Sequence, residues 1–270
     1  MRARVMWALA MATMVLATAA PARSAPITIS VGGTSITVDG ETQDGLFNWI
    51  AGGADQLSQQ WIWFRQGNTP ESSLDTLSLV DVAVFPSSVA LAYLVTPTLG
   101  IAVRYDVSDG SQPTINETIL VQNLGTTATE LSLFLYSAIT VNGDGTSDIA
   151  TGGPAGIAQT AGGTTINVTP ASIVPNAFQI DFFPDLLDLL NDGVPTNLNN
   201  SGSGLGPSAF GLSHAFQWNL TVAAGGTQEI EVTKALIQQV PQPGTWLLLA
   251  IGLVGAGGIT TWRARRRGSD

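Results

Sequence analysis

Cysteine is absent from all 270 residues. That excludes disulfides, thiolate metal sites and cysteine nucleophiles together. Packing and hydrogen bonding must hold the fold, and a central stretch of about 200 residues is long enough to bury a sizeable core. Basic residues are nearly as scarce. Between Pro26 and Pro243 there are three, Arg65, Arg104 and Lys234, against nineteen acids, a net of −16 where the whole chain carries −10. Nucleic acid and anionic lipid are both bound through Lys and Arg, so neither is an expected partner. Such a surface stays soluble and attracts divalent cations. Histidine occurs once, at His214, and no G-x-S-x-G elbow exists. A Ser-His-Asp triad would have to use that residue, which lies within a strand candidate, where a lone histidine is most often structural. A two-carboxylate glycosidase stays open, because acids are plentiful, but nothing in the sequence selects a pair.

What is present reads as strands and turns. Ile27 to Val31 alternates apolar with polar residues up to Gly32-Gly33, and Ser35 to Val38 does so again up to Asp39-Gly40. Further candidates are 60–65, 77–85, 89–95, 101–107, 114–122, 130–141, 164–169, 177–182, 210–222 and 228–238. Each is rich in β-branched or aromatic residues and bounded by Gly, Pro, Asn or Asp. Two hairpins are expected, one from Thr118–Gly125 through Thr126-Thr127-Ala128-Thr129 into Glu130–Leu135, the other from Trp218–Ala223 through Ala224-Gly225-Gly226 into Thr227–Val232. One helix is expected from Pro184 to Gly193: proline opens it, Asp185 sits in the positive first turn, and its leucines form one apolar face. Residues 197–206 read as a loop, and 152–163 as a glycine-rich loop or short edge hairpin. The fold class is all-β, an antiparallel β-sandwich with one short helix, with residues 26–240 as one domain.

Two segments are candidate sites. Asn142-Gly143-Asp144-Gly145-Thr146-Ser147-Asp148 sets oxygen-bearing side chains at alternate positions, with Asn142, Asp144 and Asp148 as candidate Ca²⁺ ligands. The twelfth position of an EF-hand count is Gly153 rather than Glu, so an EF-hand is excluded, and the same residues also make a plain β-turn. No other cofactor is expected. Gln60-Trp61-Ile62-Trp63-Phe64-Arg65 places Trp61 and Trp63 on one strand face, which if exposed would stack on sugar rings and if covered would be core. Three Asn-x-Thr triplets, at Asn116, Asn167 and Asn219, read as ordinary strand residues.

The two ends differ from the middle. Residues 1–22 carry Arg2 and Arg4, an apolar run from Val5 to Ala17, and A-x-A sites ending at Ala19 and Ala22, the order of a secretory signal peptide. After Val240 come Pro241-Gln242-Pro243-Gly244, an apolar stretch over 245–262, and the cluster Arg263, Arg265, Arg266 and Arg267. That stretch would span about 27 Å as a transmembrane helix, with Trp246 and Trp262 at its ends and the arginines cytoplasmic.

This tail resembles the PEP-CTERM sorting signal of exported proteins of Gram-negative bacteria, in which a Pro-Glu-Pro motif precedes a short span and an arginine cluster. Gln242 stands where the family has Glu, keeping size and hydrogen bonding but losing the charge. The resemblance implies recognition by an exosortase-type protease after signal peptidase has acted. It also implies transient anchoring in the inner membrane, and a final place at the cell surface or outside. Ala215 to Leu220 with Ala223 to Gly226 is also similar to uncharacterised domains that accompany such tails, and no activity comes with that likeness. The expectation is a non-enzymatic envelope or extracellular-matrix protein, which the resemblance associates with exopolysaccharide. The alternative is a secreted carbohydrate-binding module or glycan-active enzyme.

A sorting signal of this kind is removed. Proline keeps its preceding residue extended, as a protease cleft requires, so the cut should fall near Pro243 and Gly244. Mass spectrometry of protein from its native host should find neither 1–22 nor 245–262. Deleting Pro241 to Pro243 should leave the protein membrane-anchored; a mature product that keeps Trp246 to Trp262 would make the tail a permanent anchor.

Overall fold

The computed structural model describes residues 25–238. The signal peptide read over 1–22 and the tail read over 241–270, with its span at 245–262, lie outside them. Among the described residues no helix is long and apolar enough to cross a membrane.

Two sheets face one another. The first contains β1 (Ile27–Val31), β2 (Thr34–Asp39), β3 (Gly45–Ala51), β4 (Ala54–Asp55), β5 (Leu57–Arg65), β6 (Ser72–Ser73), β11 (Thr129–Ile139), β15 (Ala177–Phe182) and β16 (Leu212–Val222). Its main path runs β1-β2-β3-β5-β11-β16-β15, with β4 beside β3 and β6 beside β5. The second contains β7 (Ser78–Phe85), β8 (Ser88–Thr96), β9 (Leu99–Ser108), β10 (Thr114–Asn123), β12 (Ile149–Gly153), β13 (Gly156–Ala161), β14 (Thr164–Pro170) and β17 (Thr227–Gln238), in the order β12-β13-β14-β17-β10-β9-β8-β7. All pairings are antiparallel except the short β3–β5 contact. The helix α1 covers Asp185–Asn191, within the span expected for it, and Gly193 follows at φ +76°, the left-handed conformation that ends helices.

Both expected hairpins are corrected. β10 lies in the second sheet and β11 in the first; β16 lies in the first and β17 in the second. Each connection is an arch between sheets, and the two arches are tied together. Asn123 Nδ2 donates to Thr127 O, Val222 O and Ala223 O, Asn123 N donates to Gly226 O, and Gly225 N donates to Gly125 O. The Asn and Gly residues that suggested tight turns serve this joint instead. Residues 149–161 do form an edge hairpin.

The sheets bury their residues differently, and this positions the site. In β9, β10 and β17 every second residue is buried, Ile101, Val103 and Tyr105 or Ile230, Val232 and Lys234 for example, so one face is core and the other meets solvent. The centre of the first sheet is buried on both faces: β5 from Gln60 to Arg65, β11 from Leu133 to Ile139 and β16 from Leu212 to Trp218. Its outer face must be covered, and α1 covers it with Leu186 and Leu190.

Charge is buried at the centre of the core. Lys234 Nζ stands 3.1 Å from Glu117 Oε2, both side chains wholly buried, and Gln60 Nε2 from the first sheet donates to the same oxygen at 2.8 Å. Ser137 Oγ donates to Gln60 Oε1 at 3.4 Å. Glu117 Oε1 and the Tyr105 hydroxyl are buried with no partner of full hydrogen-bond geometry. Burial pulls the Lys234 ammonium below its ordinary pKa, and Glu117 pulls it back. At the rim, Asp109 in the β9–β10 turn accepts from Gly33 N and Thr34 Oγ1, both at 2.8 Å, joining the second sheet to the β1–β2 turn. Gly32 there has φ +58°, and a Cβ on it would fall 2.0 Å from the Asp109 carboxylate.

Removing one member of the central pair strands the other charge, which costs about 3–5 kcal/mol. Lys234→Met should therefore destabilise the protein by that amount in urea unfolding. Adding Glu117→Gln, which keeps an acceptor for Gln60, should recover most of the loss.

Candidate functional site: a polar pocket at the covered face

On the strands of the first sheet, alternation sends Gln60, Ile62 and Phe64 inward and Trp61, Trp63 and Arg65 to the outer face. Cross-strand neighbours share a face, so Phe134, Tyr136, Ser213, Gln217 and Asp181 belong to the outer one as well. Trp61 and Trp63 are completely buried there. Trp61 Nε1 donates to Asp75 at 3.0 Å and its ring meets Tyr93 edge-on; Trp63 Nε1 donates to Asn191 at 3.1 Å and its ring meets Tyr136 edge-on. An exposed sugar platform of Trp61 and Trp63 is thus not what the structure builds: the turn 74–76 and α1 close over both rings, because large aromatics gain most from burial.

The segment that follows α1 is pinned to this face. Arg65 and Glu71 form a buried ion pair at 2.9 Å. Arg65 also donates to Thr196 O and, at 2.8 Å, to Asn197 Oδ1, while Glu71 accepts from Thr196 N at 2.9 Å. Gln217 accepts from Leu198 N at 2.9 Å. Between this segment, α1 and the edge strand β15 opens a pocket of about 480 Å³, a volume suited to a small ligand. Gln179 and Asp181 from β15 line it, with Asp185, Leu189 and Asp192 from α1 and its end, and Val194 to Asn197 with Asn199 beyond. Gln179 Nε2 donates to Asp181 Oδ2 at 3.2 Å, which orients the carboxylate, and Asp192 accepts from Val194 N at 2.7 Å. Directly opposite Asp181 on β16 is Ser213, wholly buried, its Oγ without a partner of full geometry. Beside it the Tyr136 hydroxyl is buried in the same condition; burial raises its pKa, which Ser213 opposes and Asp188 of α1 augments.

The candidate calcium ligands are placed differently. Asn142, at φ +60°, donates its N–H to Gln56 Oε1 at 2.9 Å and its Nδ2 to Ala161 O at 3.3 Å. Asp144 accepts from Thr146 N at 3.0 Å and Thr146 Oγ1 at 2.6 Å, bonds that hold its carboxyl below its ordinary pKa. Asp148 is buried and accepts from Val141 N at 3.1 Å and Gln159 Nε2 at 2.5 Å; burial raises its pKa. These groups bond their own turn and the neighbouring β13. Among the described residues no group of three His, Cys, Asp or Glu is placed to hold a metal ion.

His214 points into the core opposite Ser137, with neither ring nitrogen bonded and its ring edge-on to Phe216 at 6.0 Å. Burial, helped by Lys234, lowers its pKa to about 3.

Comparison with known proteins bears on the C-terminal end of the chain and on the fold. Residues 239–267 match the PEP-CTERM protein-sorting motif. The chain carries a PEP-CTERM sorting signal. That motif implies an exported protein, processed by an exosortase and anchored at the membrane during sorting to the surface. No curated protein matches the sequence. Among solved structures, the chain is similar to a bacterial glucoamylase in complex with acarbose, at 11% identity and TM-score 0.56, over 82% of this chain and 33% of that one. It is also similar to a protein described as an aldose 1-epimerase from Escherichia coli K12, at 10% identity and TM-score 0.51, over 80% and 99% of the two chains. A third is an aldose epimerase homologue from C. elegans, at 10% identity and TM-score 0.52, over 80% and 100%. At such identities the likeness is one of fold.

That likeness corrects the expectation of a protein without enzymatic activity. The lone histidine and the missing nucleophile elbow argued against catalysis, yet this sandwich is an architecture shared with epimerase-type proteins, so activity is open. The pocket is not legible in sequence because its residues belong to a strand, a helix and a loop that read separately; what joins them is the pinning by Arg65, Glu71 and Gln217, far away in the chain.

The His214 environment sets a pH dependence. The folded state holds the neutral ring and the unfolded chain takes a proton below about pH 6.5, so stability should fall as pH drops from 6.5 towards 3, by at most about 1.4 kcal/mol per unit. Urea unfolding at pH 7 and pH 5 measures the slope, and His214→Gln should flatten it.

Proposed function

We propose that this protein is a surface-sorted carbohydrate-recognising sandwich: a leader over 1–22, a recognition domain over 26–240, and a sorting tail over 241–270. The observation that carries the reading is the pocket beside α1. Its Asp and amide side chains offer acceptors and donors together, as the vicinal hydroxyls of a sugar require. Leu189, Val194 and Pro195 supply apolar surface for the C–H faces of a ring. The acidic balance of the domain favours a neutral or cationic saccharide over an anionic one. The fold's likeness to an aldose 1-epimerase supports a sugar as the ligand class. Exopolysaccharide is the partner that suits a protein displayed at the surface, with the exosortase and signal peptidase as its processing partners and the inner membrane as a transient station.

The mature protein should bind neutral sugars in calorimetry. Asp181→Ala should weaken that binding about tenfold, the loss of one or two hydrogen bonds to ligand hydroxyls. Polarimetry on freshly dissolved galactose and glucose reads at the same time whether binding is accompanied by anomer interconversion. Absence of binding to any neutral saccharide would remove the proposal.

A further inference from the structure

Beside the pocket the surface turns aromatic. Phe183 is 36% exposed and lies two residues before Asp185; Phe210 is 74% exposed. Their backbone segments are joined by Phe183 N donating to O of Gly211, the residue after Phe210, at 3.2 Å. Phe210 is held in a closed turn, its N–H on Ser208 Oγ at 3.2 Å and Gly211 N on Ser208 O at 3.2 Å. Asp181 steadies the other side, accepting from Phe182 N at 2.9 Å. Exposed rings on adjoining segments next to pocket-lining residues offer a contact surface, and the hydrogen-bonded turn holds the Phe210 backbone before any ligand arrives.

Resting on the carbohydrate reading, we propose that the ligand is a chain of sugars. One unit occupies the pocket at Asp181 and Asp185, and the next stacks its C–H face on Phe183 and Phe210. The neighbouring charges exclude other occupants. A second copy docking through the same patch would bring the carboxylates at 181 and 185 against their own equivalents. An anionic bilayer or a nucleic acid would meet the same acids unneutralised. A neutral polyhydroxylated chain can present hydroxyls to the carboxylates and C–H faces to the phenyl rings.

Calorimetry with cello-, malto- and galacto-oligosaccharides of increasing length tests the inference on the mature protein. Affinity should climb about three- to tenfold from the monosaccharide to the di- or trisaccharide and then level, the gain expected of an engaged aromatic ring. Phe210→Ala and Phe183→Ala should abolish the climb and leave monosaccharide binding within about twofold, while Phe210→Tyr should keep it; unchanged thermal unfolding shows that the variants are folded. Monosaccharide binding with no gain on lengthening, or a gain indifferent to both phenylalanines, overturns the second subsite and leaves the pocket standing. Failure of every saccharide, short or long, overturns the carbohydrate reading and this inference with it.

Discussion

The two sheets meet through a charge. Lys234 and Glu117 lie side by side in the second sheet with no access to water, and Gln60 reaches across from the first to share the same carboxylate oxygen. Close apolar packing resists sliding of one sheet over the other but carries no directional bond. A buried ion pair bonded across the interface carries one. Its net contribution to stability is small, because desolvation offsets the attraction. What the Gln60 bond supplies is a directional link from β5, in the first sheet, to the ion pair of the second.

The outer face of the first sheet is covered. A first sheet with aromatics on both sides needs a lid, and the chain provides one in α1 and the segment after it. The lid is fixed by polar groups, Arg65 with Glu71, Asn197 and the carbonyl of Thr196. Polar fixing leaves polar groups at the seam, and the seam is where the pocket opens. The feature that hides Trp63 is thus also the feature that creates a cavity with carboxylates and amides around it.

How much of this the sequence disclosed depends on range. Strands such as Ile27–Val31 and Ala177–Phe182 were legible because alternation is local, and the helix was legible from Pro184, Asp185 and Gly193. Strand β3 was not, since Gly45 and Asn48 interrupt it; both adopt positive φ. Partnership of strands was illegible: Asn123 and Gly225 look like hairpin residues, and only the three-dimensional joint between two arches shows otherwise. Trp61 and Trp63 do share one face, but their covers come from different ranges: Asp75 lies close to Trp61 in the chain, whereas Asn191, over Trp63, lies 128 residues away. The pocket was missed for the same reason, because Asp181 acquires its setting from Ser213 and from the pinned loop.

One feature of topology bears on life at a surface. Strand β17 is the last described element, ending at Gln238, immediately before the residues of the sorting motif. It is an interior strand, paired along nine positions with β10 and seven with β14. A pull on whatever follows residue 238 therefore runs along a strand gripped on both flanks, so that many hydrogen bonds must shear at once where an edge strand would unzip one at a time. The strand that leads into the sorting motif is thus held against shear by both neighbours.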